Sequence, residues 1–385
     1  MTARSATGAM VTVIVAAAGA AEPAGRPGNV HATLIAQFDR LIAQRVDAAL
    51  AEPLTNARGR IAWGDSYTLA ALAEMLDATR DPRYAAAFVK LADHVADARD
   101  DRHGRRDEYR NRVVPAWGSS KYTDGKWHAW AVHTGMIAAP MARFASIVRR
   151  DASLRPRFGE DAARILKVAE EAVAVHEDEY RQGPGPDEAY LLGLHAGRNL
   201  PLNMQNALAT AWIYLDDATG LPRYRERVAR LAKFFRNRLR MSDDGAYVWA
   251  YRPPLDRPDV SFEDISHASI NVAFATLCFE HNIVFTREDI ARFEKTLLTH
   301  VLRGDGTAAN NVGGTGGTGK YPGAALRWGC LARHNPAVRD ELLRYYESGR
   351  VTEVEAGPLG LAYLITTAGR TPATQPTTRG TSDRR

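Results

Sequence analysis

The chain has only two cysteines in 385 residues, Cys278 and Cys330. Two thiols exclude a disulfide framework and a zinc site built on cysteine. Both lie in apolar helical patterns and read as buried structural thiols. No H-E-x-x-H motif occurs, and no His/Asp cluster has ligand spacing, so no metal and no cofactor are expected. The absence of a G-x-S-x-G elbow argues against a serine hydrolase. After the N-terminus, no apolar run reads as long enough to span a membrane. Excess charge is also scarce. The formal net charge is +5, but Arg370, Arg379, Arg384 and Arg385 against Asp383 supply +3 of it, and Arg4 supplies another +1. The near-neutral remainder gives no footing for a nucleic-acid partner.

What is present is ordinary globular composition, 45% hydrophobic and 25% charged, in a chain long enough for a large core. Arg4, the short apolar run Ala9–Ala17 and the small residues Ala18-Gly19-Ala20 read as a signal peptide over 1–20, with a linker over 21–29. This makes the protein an expected periplasmic or secreted one. From 369 to 385 the chain is rich in Thr, Pro and Arg without apolar period and reads as a disordered tail.

Between them, over 30–368, apolar residues recur at spacings of three and four. The pattern predicts helices at 31–50, 64–79, 82–98, 128–149, 159–178, 203–218, 221–239, 265–281, 287–302, 322–333, 336–347 and 357–367. A joint repeats: Ala78-Thr79-Arg80-Asp81-Pro82-Arg83-Tyr84 and Ala218-Thr219-Gly220-Leu221-Pro222-Arg223-Tyr224. Each is a helix stop followed by proline near the next helix start. The expectation is an all-α single domain, an (α/α) toroid or incomplete barrel of about six or seven helix pairs. A minor β-hairpin is expected near Ala246–Tyr251, where alternation replaces the helical period.

Long loops fall at 99–127, 181–200, 241–264 and 303–321. They hold Trp117, Tyr122, Trp127, Tyr190, Trp249, Tyr251 and Tyr321, whose flat faces would suit sugar rings on a cleft wall. Gly314-Thr315-Gly316-Gly317-Thr318-Gly319-Lys320 fits the start of a phosphate-binding loop. Tyr321 stands where Ser or Thr would hold magnesium, and no buried strand precedes it, so the loop instead reads as one delivering Lys320, Tyr321 and Arg327 to a site.

Three helix starts carry chemistry. Phe262-Glu263-Asp264-Ile265-Ser266-His267 opens an apolar helix. Asp264 is near enough to orient His267 as a general base, and Asn271 shares the face of His267. His133 lies in the first two turns of the helix that Trp127-His128 opens, as a cleft residue or a bonded helical histidine. Asn203 and Asn206 share one turn of another helix start, where an amide could stabilise charge developing on a substrate carboxylate.

Taken together, the paired helices, the S-H-A and N-x-x-N helix starts and the late K-Y…R-W segment resemble the α/α-toroid polysaccharide lyases of uronic-acid polymers such as alginate and glucuronan. The similarity spans most of 60–350. It implies β-elimination: Asn203 or Asn206 neutralising the C5 carboxylate, His267 as base, Tyr321 as acid and Arg327 as supporting cation. It implies His133, Trp127, Trp117, Tyr122, Tyr190, Trp249, Tyr251, Asn271 and Lys320 around an acidic polysaccharide. One departure is plain: the best-known toroid alginate lyases carry an asparagine-histidine pair at the neutralising helix, and here no histidine follows the asparagine. The competing expectations are a toroid glycoside hydrolase of the unsaturated-uronyl type, with acids drawn from Asp101, Glu188 and Asp264, an epimerase using the same proton abstraction, and a non-catalytic glycan-binding protein.

Overall fold

The structure, a computed structural model, describes residues 27–257 and 259–369. The expected signal peptide and the tail from 370 lie outside the described residues, as does the linker up to residue 26. Helix α1 (Pro27–Ala51) already occupies the linker's last residues.

The remaining helices are α2 (Ser66–Thr79), α3 (Pro82–Asp97), α4 (Ala131–Arg150), α5 (Arg155–Ala174), α6 (Leu202–Thr219), α7 (Pro222–Arg236), α8 (Ile265–Glu280), α9 (Arg287–Lys295), α10 (Pro336–Glu347) and α11 (Glu353–Thr366). A π-helical turn, Ile61–Asp65, runs into α2, and another, Thr296–Val301, follows α9. Residues Pro322–Arg333, expected as an α-helix, form a 3₁₀ segment instead.

Contacts between elements define a closed ring. α2 packs on α4, α4 on α6, α6 on α8, α8 on the 3₁₀ segment, that segment on α11, and α11 back on α2. The other six helices alternate with these along the chain and lie outside. The architecture is therefore an α/α toroid of six pairs, closed and not incomplete. The division follows from the sequence pattern. Outer helices such as α3 and α7 bury one stripe, whereas inner α4 and α8 are apolar nearly all round and buried nearly throughout. Helix α4 even has the length and apolar character of a membrane span, contrary to the sequence expectation, but it is a core strut of the ring.

The repeated joint has one physical solution at both sites. The helix ends on a left-handed residue, Arg80 at φ 58° or Gly220 at φ 71°. Thr79 and Thr219 each donate back to a carbonyl four residues earlier, and their hydroxyls accept from the amides of Asp81 and Leu221. Proline then occupies the first position of the next helix.

Among the described residues β-structure amounts to four small sheets and three isolated bridges. The expected hairpin shrinks to Tyr247–Val248 paired with Arg240–Met241. The segment expected as the loop 181–200 carries a three-stranded antiparallel sheet of Tyr180–Gln182, Ala189–Gly193 and Arg198–Asn199. Its strands are too short, and too interrupted by Gly and Pro, to show a period.

Candidate active site

All inner helices start at the same end of the ring, which forms a mouth. The positive end of a helix dipole lies at each start, so the mouth favours negative charge. Helices α4 and α6 approach closely. A Cβ at Gly135 would overlap the backbone of Ala207 and Leu208, so only glycine permits this approach. It brings the first turn of α4, with His133, against the start of α6, with Asn203 in its first turn and Asn206 in the next.

Asp264 is the N-cap of α8, accepting from the amides of Ser266 and His267 at 3.0 Å. Its other carboxylate oxygen accepts from His267 Nδ1 at 2.6 Å. The cap thus doubles as an orienting group, leaving His267 Nε2 as the lone-pair nitrogen. Burial pushes the Asp264 carboxyl up, but the hydrogen bond and charge of His267 outweigh it and hold the group below its ordinary value. The His267 ring lies 5.1 Å from that of Tyr251. Burial pushes the Tyr251 hydroxyl up to about 12, so it keeps its proton. Arg327 Nη2 donates to Ser266 Oγ at 2.7 Å, and its guanidinium lies 5.0 Å from the Tyr67 ring.

One turn deeper, Asn206 Nδ2 donates to Asn271 Oδ1 at 2.7 Å, and Asn271 Nδ2 donates to Glu263 Oε2 at 2.6 Å. Trp249 Nε1 donates to the same oxygen. Glu263 is fully buried and its Oε1 has no partner. Burial drives its carboxyl well above the ordinary range, so it is a neutral acid. The Asn206–Asn271 bond fixes the register of α6 against α8. Asn203 and His267 each stand about one turn nearer the mouth. The Asn203 amide is fully buried, and neither its oxygen nor its nitrogen has a partner. An unpaired buried amide is costly, so it points to a ligand.

The third element is His133, also fully buried. Asn56 is pinned: its Oδ1 accepts from the Ala62 amide and its Nδ2 donates to Trp117 O. Its amide nitrogen therefore faces His133 Nδ1, 3.1 Å away, and donates to it. The proton of the imidazole then sits on Nε2, which has no partner. Burial, helped by Lys121, lowers the ring to about 3, so it stays neutral and is an N–H donor, not a base. Trp63 (5.6 Å) and Tyr122 (6.1 Å) surround it, and Tyr122 packs edge-on against Trp130. No group of three His, Cys, Asp or Glu side chains among the described residues is arranged to hold a metal ion.

The structure thus gathers His267, Asn203, Asn206, Asn271, Arg327, His133, Tyr122 and Tyr251 at the mouth. Tyr321 and Lys320 adjoin them, because the glycine-rich loop pairs with the backbone at Asp264. That loop is shaped by Asn310 and Asn311, whose side chains bond Gly316 O, the Lys320 amide and Thr315. Other aromatics do not reach the cleft. Trp117 and Trp249 are fully buried, their indole N–H groups spent on Val95 O and Glu263, so they plug loops onto the core. Tyr190 packs on Phe234 of α7, on the outer side. Trp127 is half-buried, donating to Asp100 beneath Arg105. The acids considered for hydrolysis are also engaged: Asp101 with Arg99, and Glu188 with Arg238 and Asn237. Sequence reasoning missed Asn56, Trp63 and Tyr67. Only the polar stretch before α2 hinted at them.

No protein-family model matches the chain, and no curated protein sequence does. Solved structures do. An α-1,6-mannanase from Salegentibacter sp. HEL1_6 superposes over 88% of this chain and 97% of its own, with a TM-score of 0.51 at 11% identity. An inactive variant of it, with two consecutive aspartates replaced and α-1,6-mannotetrose bound, gives the same values. A cellobiose 2-epimerase from Spirochaeta thermophila DSM 6192 covers 88% of this chain and 84% of its own, with a TM-score of 0.49 at 15% identity. At these identities what is shared is the fold: this chain is an α/α toroid.

Proposed function

We propose that the protein is a polysaccharide lyase that cleaves a uronic-acid polymer, of alginate or glucuronan type, by β-elimination. The observation that carries this is the pairing of an oriented base with partnerless neutral donors. His267 is held by Asp264 on one side of the mouth. The Asn203 amide and His133 Nε2 wait unbonded on α6 and α4. The C5 proton of a uronate becomes abstractable only when the adjacent carboxylate is relieved of its charge by hydrogen bonding. Asn203 and the neutral N–H of His133 are suited to that, and the helix starts around them favour the anion.

In this reading His267 Nε2 takes the C5 proton. The electron pair forms the C4–C5 double bond, the C4–O4 bond breaks, and O4 takes a proton from a tyrosine. Proximity to His267 favours Tyr251 for that role over Tyr321, the tyrosine the family resemblance implies. Arg327, fixed on Ser266, supports the negative charge.

Hydrolysis is the competing reading. The inactive mannanase variants lack two consecutive aspartates. Here Asp100 is buried under Trp127 with Asp101 tied to Arg99, and Asp216–Asp217 bind Arg225 and His281 at the far end of the ring. A further pair, Asp243–Asp244, has Asp244 beside His300. None offers two free carboxylates flanking the mouth, as glycosidases need.

The test is ultraviolet absorbance of the new double bond during incubation with alginate blocks, glucuronan, hyaluronan and pectate. We expect a rise with at least one polymer that is lost in His267→Ala. Reducing ends without absorbance would replace elimination by hydrolysis. Isomerised sugar without either would replace it by epimerisation. An N-terminus beginning after residue 20 in protein recovered from outside the cytoplasm would support the expected export.

A further inference from the structure

Beside the proton-transfer cluster, the mouth holds two arginines without a counter-ion. Arg198 pairs with Gly193 across the turn that carries His195. Arg252 directly follows Tyr251. The two segments are stitched together: Asn199 Nδ2 donates to Pro253 O at 2.9 Å, and the Leu202 amide donates to Tyr251 O at 3.0 Å. Arg198 is exposed and Arg252 half-buried, whereas arginines whose side chains lie in the interior are paired. Arg110 reaches Asp107, Asp178 and Glu179, and Arg99 reaches Asp101 and Glu171. Among the described residues neither Arg198 nor Arg252 meets a carboxylate. Arg252 Nε is buried without any hydrogen-bond acceptor.

The third member is His195, whose Nδ1 is also buried and partnerless and whose ring lies 4.5 Å from that of Trp130. Burial, His128 and Arg252 lower it to about 4, so it stays uncharged beside the cations. Burial and the charge of Arg198 likewise lower Arg252, the signature of like charges set together without compensation. Such a pair is unfavourable in the empty protein, and a bound anion would relieve it.

We propose that Arg198, Arg252 and His195 form an anion subsite for the carboxylate of the sugar unit next to the one cleaved. The identity of that sugar rests on the lyase reading; the anion site does not. Arg252 is adjacent in sequence to Tyr251, which neighbours His267, so a polymer seated for proton transfer runs directly onto it.

The test is calorimetry on the full chain in the His267→Ala background, where bound glycan is not consumed. The probes are a uronate oligosaccharide, its carboxyl-reduced counterpart and a sulfated neutral oligosaccharide of equal length. We expect the uronate to bind about tenfold or more tighter than the reduced form, and Arg252→Met to erase that preference. Arg252→Lys should keep part of it, and Arg198→Met should lose part. Without ligand, Arg252→Met should melt at or above the parent's Tm, because repulsion is removed, which separates lost binding from misfolding. Equal uronate binding by the parent and Arg252→Met overturns the proposal. So does a preference for the sulfated probe, which would assign the anion to sulfate esters. An Arg252-dependent preference without any double-bond formation would keep the subsite and sink the lyase. Double-bond formation with KM unchanged in Arg252→Met (His267 intact) would do the reverse.

Discussion

The two ends of the ring are both polar and both buried, yet opposite in chemical state. At the end away from the mouth Glu74 is bonded by Arg143 at 2.7 Å, Arg333 at 2.5 Å and Thr366 at 2.9 Å. Arg143 goes on to Asp77, and Arg333 to Glu280, which also meets His334. The network ties α2, α4, α8, the 3₁₀ segment and α11, and nearly every charge in it has an opposite partner. At the mouth, Asn203, His133 Nε2, Glu263 Oε1 and Arg252 Nε have none. Both sets sit in a low-dielectric interior, where an unmet polar group costs about 1–3 kcal/mol. The same ring therefore spends one end on holding together and keeps the other unsaturated. That asymmetry is what the proposed site rests on.

Substitutions can break the contrast. The largest effect should come from His267→Ala. We expect a loss of about 10³–10⁴ in kcat for double-bond formation, with thermal unfolding essentially unchanged, since the side chain is partly exposed. Next is Glu74→Ala, which strands two buried arginines. It should cost about 3–5 kcal/mol of stability by denaturant titration, while the folded fraction keeps its activity. The acid response has a fixed sign. Burial raises the Glu74 carboxyl, but Arg333 and Arg143 outweigh it and hold it below its unfolded value. Its contribution is present above the unfolded pKa of about 4.3 and is lost as pH falls below that. Glu74→Gln should flatten this acid loss.

Asn203→Leu should behave in the opposite way. We expect kcat to drop by about 10²–10³ while the melting temperature holds or rises, because an unpaired amide leaves the interior. A clear fall in stability would mean that the amide is structural and that the ends of the ring differ less than claimed. The smallest effect should be Glu263→Gln. Its raised pKa makes Glu263 stabilising below about pH 4.3 and progressively less so as pH climbs toward the folded value. The variant should therefore melt higher than the parent at pH 8 and alike at pH 4, measured by calorimetric scans.

Legibility in the sequence followed the range of the interactions. The ring itself was readable, because helix periodicity and the Thr-x-x-Pro joints are local. The Asp264–His267 pair was readable for the same reason, since a cap and the residue three positions on must meet. Trp117 and Trp249 were misplaced because an aromatic in a loop looks alike whether it faces a sugar or plugs the loop onto the core. Asn56 escaped because its role is defined by His133, 77 residues away. The two unpaired arginines were invisible because a missing partner is a property of the whole fold.

Ring closure has one more consequence. Helix α11 lies against both α1 and α2, with Arg40 reaching Glu353 and Tyr346 bonding Gln37. The first and last described helices are therefore neighbours, running antiparallel, and the described ends fall on the side away from the mouth. Nothing in the packing marks where the chain must begin. A circular permutant opened at the exposed Gly220–Leu221 joint, with a short link from the end of α11 to the start of α1, should rebuild the same six pairs. Its mouth would then be assembled from pieces in a new chain order, with the chemistry of the site unchanged.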